Sequence, residues 1–99
     1  MTAYNIVRMR VKPGREKDFH DKNRTQDWKR IPGFRKVAFV EVSERTFIII
    51  GEWDNRDTMM AAMPTMVGML DDIRDMLEDL GGDIGVTDPM SGEAVIEIG

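Results

Sequence analysis

Two adjoining segments of the sequence alternate in a way that puts apolar side chains on both faces of a β-sheet. Within residues 46–53, Ile48 and Ile50 fall on one face. Phe47 and Ile49 fall on the other face. Two helices can shield only one face of a small sheet, so a second copy of the chain is the simplest cover for the other. The pattern predicts a homodimer formed through the sheet face; the alternative is an ordinary surface with scattered apolar residues.

The neighbouring segment, residues 34–42, shows the same double-sided pattern. Val37 and Phe39 share one face. The opposite face holds the other apolar side chains of this segment, which are Phe34, Ala38, Val40 and Val42. A short polar connection, residues 43–45, joins the two segments and predicts that they pair as an antiparallel hairpin.

One strand, a first helix and an interrupted second helix are predicted around this hairpin. Residues 4–11 alternate and are rich in β-forming types, which predicts a first strand. Charged residues dominate residues 14–30, which fits a first helix ended by a Pro-Gly pair. Capping residues precede a short helix over residues 58–63, and Pro64 predicts an interruption before a longer helix over residues 66–80.

The end of the chain is predicted to complete the sheet. Two glycines stop the second helix, and residues 83–87 return to a β-like pattern. A turn over residues 88–92 precedes a last short strand over residues 94–98. The order β-α-β-β-α-β predicts a single α+β domain over residues 1–99, with ferredoxin-like topology and a four-stranded antiparallel sheet.

The composition excludes several classes of chemistry. The chain has no cysteine, which excludes disulfides, thiol nucleophiles and iron–sulfur clusters. His20 is the only histidine, and there is no phosphate-binding glycine loop or dinucleotide fingerprint, so we expect no metal and no cofactor. The net charge of −4 argues against nucleic acid as a partner. Because the sequence shows neither a signal-peptide pattern nor a membrane-spanning run, we expect a cytoplasmic protein without a membrane partner.

The predicted first helix has an unusually polar inner face. Phe19 is the one strongly apolar residue of its middle turns. Asn23, Gln26 and Arg30 lie within about 40° of it at 3.6 residues per turn. Either these groups border a cavity, where a ligand or ordered water satisfies them, or the helix lies at the edge of the fold and they reach solvent.

Methionine is concentrated in one stretch of the sequence. Six of the nine methionines fall between Met59 and Met76. Flexible thioether side chains around a cavity would suit variable apolar or aromatic ligands. The alternative is an ordinary helical core, whose spacing Met66, Met69 and Met76 also satisfy.

A histidine and a tryptophan are further candidates for chemistry. His20 follows Glu16 by one helical turn, so the two form either an oriented general base, a role typical of histidine, or a surface ion pair. Trp53 ends an aliphatic strand, and it is either a pocket wall or a core residue. Trp28 lies opposite Phe19 on the first helix, which makes it the weaker candidate for a pocket wall.

Three segments carry a family resemblance. They are Val-Lys-Pro-Gly-Arg-Glu-Lys-Asp-Phe at residues 11–19, Ile-Pro-Gly-Phe at residues 31–34 and Gly-Glu-Trp-Asp at residues 51–54. Through them the chain resembles the antibiotic biosynthesis monooxygenase-like group of the dimeric α+β barrel superfamily. The resemblance implies a homodimer with a pocket in each subunit between the sheet and the helices. It also implies an oxygenase that uses neither metal nor flavin and lets an electron-rich substrate react with O₂ itself.

The resemblance bears on individual residues in two places. Trp53 matches a family position that often lines the pocket. The haem-degrading branch of the superfamily uses an asparagine in the first strand and a histidine in the second helix. In this sequence the aligned strand position is Val7, and the second helix contains no histidine, which argues against haem degradation.

Together these observations predict a cofactor-independent monooxygenase acting on a small aromatic or quinol-type substrate. The alternative is a noncatalytic homodimer of the same fold that binds a small apolar ligand. The predicted catalytic residues are His20, Asn23 and Trp53, and the predicted ligand-binding residues are Phe19, Gln26, Arg30 and Met66.

Overall fold

Four strands and two α-helices follow one another in the predicted order in the computed structural model, which describes residues 1–99. They are β1 (Ala3–Arg10), α1 (Glu16–Thr25), β2 (Phe34–Ser43), β3 (Thr46–Trp53), α2 (Arg56–Asp71) and β4 (Asp88–Glu93). The strands form one antiparallel sheet in the spatial order β2-β3-β1-β4, so β2 and β4 are its edges. This arrangement confirms the predicted α+β, ferredoxin-like βαββαβ fold.

The register of the strands fixes which side chains share a face of the sheet. Ile49 lies opposite Val7, on the side that packs against the helices. Ile50 lies opposite Ile6 and Ala38, on the other side. We call these sides the covered face and the open face. The apolar and aromatic residues that the register places on the open face are Tyr4, Ile6, Ala38, Val40, Ile48, Ile50 and Met90.

The core between the covered face and the helices is divided into two clusters. Phe19 of α1 belongs to the first and is completely buried. Its other buried members are Met9, Val11, Phe47, Ile49, Ile73, Met76 and Leu77. Trp53, also completely buried, belongs to the second cluster. Its other buried members are Ala3, Ile31, Met59 and Ala62.

Phe34 faces the helices, and the prediction that placed it on the face of Ala38 is wrong. A bulge in β2 separates the pair Phe34–Trp53 from the next pair, Lys36–Glu52. A bulge inserts one extra residue and reverses the alternation on one side of it. The Phe34 ring therefore packs edge-on against Trp53, with ring centroids 5.6 Å apart.

α1 ends five residues earlier than predicted. Gln26 has an extended backbone, with φ −67° and ψ 140°, and a short 3₁₀ turn at Trp28–Arg30 follows it. The hydroxyl of Thr25 donates to the carbonyl of Lys22 at 2.7 Å, within the last turn of the helix. The extended Gln26 lets its side-chain amide donate to the carbonyl of Met69 at 3.4 Å, which connects the end of α1 to α2.

α2 is one continuous helix, and the predicted interruption at Pro64 does not occur. A capping box starts the helix, in which Asn55 Oδ1 accepts from the backbone N–H of Thr58 at 2.9 Å. Pro64 lacks an N–H, so the helix loses one hydrogen bond to the carbonyl of Met60. Met60 is on the exposed side of the helix, where water can replace that bond. Neither α2 nor any other helix is both long and apolar enough to span a membrane.

The prediction that this helix continues to residue 80 is also wrong. It ends at Asp71, and a 3₁₀ turn at Arg74–Met76 leads into a segment that pairs with the end of β1. There the N–H of Glu78 donates to the carbonyl of Arg10 at 2.7 Å. The predicted apolar residues 73 and 77 are buried all the same, because the pairing presses them against the covered face.

The last strand lies between the two segments predicted to form it. β4 occupies the residues that were predicted to be a turn, and it pairs with β1. An edge strand leaves alternate N–H groups unpaired, so it tolerates Pro89. Residues 94–98 form no strand, and Val95 and Ile98 are 87% and 94% exposed.

Candidate functional site

A cavity of about 450 Å³ lies between α2 and the covered face of the sheet. Twelve of its 17 lining residues are hydrophobic, and none is ionisable. Met9, Ile49 and Ile73 reach it from the first core cluster, whereas Trp28 and Met66 pack against the second. We call this space the apolar cavity. Its lining is typical of sites for small apolar or aromatic molecules.

Five of the six methionines between Met59 and Met76 divide between this cavity and the core; the sixth, Met60, is exposed. Met63, Met66 and Met69 line the cavity. Met59 and Met76 are buried in the two core clusters. Three flexible thioether side chains therefore form much of one wall, which lets the wall adapt to ligands of different shape.

One end of the cavity carries the amide of Asn5. The indole N–H of Trp53 donates to Asn5 Oδ1 at 2.6 Å. Because an indole nitrogen can only donate, the amide oxygen must face it, and the orientation of the amide is fixed. The NH₂ group of Asn5 makes no hydrogen bond within the chain, so it remains as a donor at the cavity wall.

A glycine makes room for this arrangement. Gly51 lies opposite Asn5 in the sheet and is buried. A Cβ atom at position 51 would overlap Asn5 Oδ1 and come within 3.1 Å of the indole nitrogen of Trp53. The hydrogen bond between these two side chains thus requires glycine at this position.

The sequence analysis missed Asn5, although the sequence contains a signal for it. Asn5 occupies an inward position of a central strand, between Ala3 and Val7, where an apolar residue would be expected. A polar residue at such a position needs a partner. The partner, Trp53, lies 48 residues away along the chain, so the alternation alone does not reveal it.

Asn23 and Trp28 stand at one side of the apolar cavity and separate it from a second depression. Asn23 is buried, and its amide donates to the carbonyl of Phe19 at 2.9 Å. The indole nitrogen of Trp28 is buried and has no hydrogen-bond partner. Both side chains line the cavity and the second depression, together with Phe39.

The second depression is a groove of about 790 Å³ between the end of α1 and the edge strand β2. His20 and Gln26 line it, and neither lines the apolar cavity. His20 packs edge-on against Phe19 and Phe47, with ring centroids 5.7 and 5.4 Å apart. We call this depression the basic groove, because its lining contains Arg24, Lys29, Arg35 and Lys36 and only one carboxylate, Asp27.

The remaining candidate residues lie outside both depressions. Phe19 and Trp53 are completely buried in the core, so they support the cavity wall from behind. Arg30 is exposed and pairs with Asp27 at 2.9 Å. The structure therefore brings Asn23 and Met66 to the apolar cavity, and it places His20 and Gln26 in the neighbouring groove.

Charged groups with shifted pKa values lie away from the cavity. Hydrogen bonds from Arg45 and Arg10 lower the pKa of Glu78, whose carboxylate oxygens lie 2.6 and 2.9 Å from the two guanidinium groups. A hydrogen bond from Lys17 lowers the pKa of Asp21. No three histidine, aspartate or glutamate residues cluster closely enough to hold a metal ion. The cavity itself offers hydrogen bonding and shape but no protein charge.

Solved structures with the same fold cover almost the whole chain. A protein from Nitrosomonas europaea, described as an antibiotic biosynthesis monooxygenase, is 15% identical, with a TM-score of 0.76 over 99% of this chain and 94% of that one. The chain has the fold of the antibiotic biosynthesis monooxygenases. The sequence itself matches no family model and no curated protein.

Other proteins with the antibiotic biosynthesis monooxygenase fold have different stated activities. SnoaB from Streptomyces nogalater, a cofactor-independent oxygenase, is 14% identical, with a TM-score of 0.70 over 98% of this chain and 96% of that one. The haem degrader MhuD from Mycobacterium tuberculosis is 13% identical, with a TM-score of 0.64 over 98% of this chain and 99% of that one. Its structure contains two haems in the active site. At these identities the likeness establishes the fold, and the activity must be argued from the site.

Proposed function

We propose that this chain is a cofactor-independent monooxygenase that acts on a small aromatic or quinol-type substrate in the apolar cavity. The observation that carries the proposal is the fixed NH₂ donor of Asn5 at the wall of a cavity lined by no ionisable side chain. SnoaB, a cofactor-independent oxygenase, has the same fold. Haem does not suit the cavity, whose lining contains no histidine, cysteine or tyrosine to bind its iron.

The role of Asn5 follows from its hydrogen bonding. The amide oxygen of Asn5 already accepts a hydrogen bond from the indole N–H of Trp53, so only the NH₂ group is available to a ligand, and it can only donate. A phenolate oxygen, which gains electron density when the phenol loses its proton, is a suitable acceptor. Inside an apolar cavity such a hydrogen bond is stronger than in water, and it costs no reorganisation because Trp53 already holds the amide in place. Asn5 would therefore stabilise the anionic form of the substrate, and Trp53 would act as a positioning residue.

The proposed reaction needs no external reductant. A phenol with hydrogen para to its hydroxyl reacts with one O₂ to give a quinone and one water. One oxygen atom of O₂ forms the new C=O bond, the other leaves in the water, and the substrate supplies all four electrons. The protein contributes orientation and the hydrogen bond, while the methionine wall holds the ring.

No side chain of the cavity can act as the base that accepts the proton of the phenol. No carboxylate, histidine, lysine or arginine lines the cavity, and His20 lies in the basic groove. The substrate therefore enters as the neutral phenol and loses its proton to water only when its oxygen has reached the Asn5 donor. Asn23, whose amide uses one N–H for the carbonyl of Phe19, supplies the second polar contact of the cavity wall, and Met66 supplies an apolar contact.

The proposed unit is a homodimer that packs the open faces of two sheets together. Ile6, Ile48 and Ile50 lie in the middle of this face and are only half-buried in the single chain. Val42, at the end of β2, is 57% exposed. The charged residues around these isoleucines on the same face are Arg8, Lys36 and Glu52. An apolar patch with such a charged rim on a small sheet is characteristic of an interface. Sedimentation velocity at micromolar concentration should give a dimer, and a stable monomer would overturn this part of the proposal.

Oxygen uptake with 1-naphthol tests the proposed reaction. We expect O₂ consumption, formation of 1,4-naphthoquinone and one ¹⁸O atom from ¹⁸O₂ in the product. Trp53→Phe keeps a ring in the core but removes the hydrogen bond that holds the Asn5 amide in place. Asn5→Ala removes the donor itself. We expect each variant to lower kcat by roughly 10²-fold, the usual effect of losing an oxyanion donor. Met60→Ala, on the exposed side of α2, is the matched control and should leave the rate unchanged.

The noncatalytic alternative rests on the same uncharged lining, because a cavity without an acid or base also suits a protein that only binds. The two functions separate in one experiment. Saturable binding of 1-naphthol without any O₂ uptake above the uncatalysed rate would favour the binding protein. Uptake that survives Asn5→Ala and Trp53→Phe, with the fold intact by circular dichroism, would remove the proposed mechanism.

A further inference from the structure

We propose that the basic groove is a second binding site, separate from the apolar cavity, and that it takes an aromatic anion such as an aryl carboxylate. The groove lies between the end of α1, the 3₁₀ turn at Trp28–Arg30 and the edge strand β2. The proposed oxygenase reaction makes no use of it.

The groove concentrates positive charge in a chain whose net charge is −4. Four lysine and arginine side chains line it, against one carboxylate. That carboxylate, Asp27, is held by Arg30 at 2.9 Å, and Arg30 is not part of the lining. Lys29 forms no ion pair with any carboxylate of the chain, and neither does Lys36, which lies opposite Glu52 on the open-face side of the edge strand β2. Their charges are therefore available to a ligand.

The floor of the groove is aromatic. Trp28 packs against Phe34 and Phe39, with ring centroids 5.9 and 6.3 Å apart, and all three rings line the groove. A flat ligand placed on these rings would gain stacking and burial of apolar surface. Cationic side chains at the rim of such a floor would then bind a negative substituent on the ligand ring.

The wall that the groove shares with the apolar cavity contains a polar atom without a partner. The indole nitrogen of Trp28 is buried and donates to no atom of the chain, and Trp28 lines both depressions. This donor therefore does not decide between the two. The negative charge that Lys29 and Lys36 favour does decide, because only the groove is lined by cations.

The apolar cavity next to the groove favours ligands of a different charge. Transferring a carboxylate into a lining without any ionisable group carries a large desolvation penalty. The same carboxylate in the groove meets unpaired cations and stays near water. A molecule that is neutral in solution should thus prefer the cavity, and an aromatic molecule that is already anionic in solution should prefer the groove.

Two probes of the same shape test this division. 2-Naphthoate and 2-naphthamide differ in charge but hardly in size, and their binding is followed by tryptophan fluorescence and by methyl NMR of the methionines. We expect 2-naphthoate to bind roughly tenfold tighter at low ionic strength than at 0.5 M salt, because salt screens exposed charges. We expect salt to leave the binding of 2-naphthamide unchanged. Saturation with 2-naphthoate should leave the Met66 and Met69 methyl signals in place, whereas 2-naphthamide should shift them.

Charge reversal in the groove provides the decisive comparison. The double variant Lys29→Glu, Lys36→Glu should weaken 2-naphthoate binding by roughly tenfold or more at low salt. Lys22→Glu, an exposed lysine of α1 outside the lining, changes charge in the same direction and should alter it less than about twofold. Equal losses in the double variant and the control would mean that only the net charge matters, and would overturn the proposal. Binding of 2-naphthoate that shifts the Met66 and Met69 signals would overturn it as well, since the anion would then occupy the cavity.

The groove site and the proposed oxygenase reaction can be tested independently of each other. The Lys29→Glu, Lys36→Glu variant should consume O₂ with 1-naphthol at the unaltered rate. A chain that binds 2-naphthoate in the groove but never consumes O₂ would keep the groove site and lose the proposed reaction. A chain that consumes O₂ but binds 2-naphthoate no better than 2-naphthamide at low salt would keep the reaction and lose the site.

Discussion

The covered face and the open face of the sheet are built from the same kinds of side chain but have different surroundings. Ile49 is 4% exposed beneath the helices, whereas the next residue, Ile50, is half-buried on the open face. On the covered face, most apolar residues belong to two packed clusters with the cavity between them. Apolar character alone therefore does not distinguish a buried core residue from a half-buried residue of the open face; the distinction depends on what covers the face.

The largest effect is expected at the centre of the second core cluster on the covered face. Trp53→Ala should lower the free energy of unfolding by about 3–5 kcal/mol, through lost burial and the cavity that remains. Urea unfolding at one fixed protein concentration measures the loss, because the stability of the proposed dimer would depend on concentration. Met60→Ala, on the exposed side of α2, should change the free energy by less than about 0.5 kcal/mol. Similar losses in both variants would contradict the assigned core.

Two adjacent isoleucines test the comparison most directly. Ile49→Ala should lower the unfolding free energy by about 2–4 kcal/mol without changing the dimer dissociation constant. Ile50→Ala should lower the stability of the single subunit by less than about 1.5 kcal/mol and raise that dissociation constant, because its side chain is only half-buried before association. Urea unfolding and sedimentation equilibrium measure the two quantities. If Ile50→Ala leaves association unchanged, the open face is not the interface.

A smaller effect is expected from the glycine beside Asn5. Gly51→Ala should lower the unfolding free energy by about 1–3 kcal/mol, because the added methyl group overlaps the Asn5 side chain and forces a shift. Gly68→Ala is the matched control, since a Cβ there meets no atom within 4 Å and lies on a helix. It should raise stability by about 0.5–1 kcal/mol. Thermal unfolding of the two variants should shift in opposite directions, and a stable Gly51→Ala would contradict the tight packing of the Asn5–Trp53 pair.

The smallest effect is expected at the rim of the open face, and it depends on pH. Arg45 and Arg10 hold the pKa of Glu78 below its ordinary value in the folded chain. The ionised carboxylate therefore adds stability above the unfolded-state pKa of about 4.3, and this contribution is lost as the pH falls through the lowered folded-state pKa. Glu78→Gln should thus have a lower Tm than the unaltered chain at pH 7, and the difference should shrink towards pH 3. A difference independent of pH would argue against the ion pairs as its cause.

The topology could be predicted from the sequence because local patterns determine most of it. Alternation within β1 and β3, a polar connection of hairpin length and a capping box at Asn55 all agree with the observed elements. The element ends were less predictable. Pro64 is tolerated because only one hydrogen bond is lost on an exposed side of α2, and Pro89 is tolerated because β4 is an edge strand. Both tolerances depend on what lies next to the proline in space.

The site was predictable only in part, for a related reason. The polar inner face of α1 and the methionine-rich stretch indicated a cavity, and Asn23 and Met66 do line one. The key pair, Asn5 and Trp53, comes from two strands whose pairing sets the contact. Trp28 lines the apolar cavity, as had been expected of Trp53, because α1 ends early and a 3₁₀ turn redirects the chain.

The hydrogen bond between Trp53 and Asn5 also determines how the proposed reaction would end. An amide that can only donate also finds an acceptor in the carbonyl of a quinone, although its hydrogen bond to the charged phenolate is stronger. The product would therefore keep this contact and compete with the substrate for the cavity, and progress curves would flatten before the substrate is exhausted. A scavenger that removes quinone from solution should keep the progress curves linear for longer.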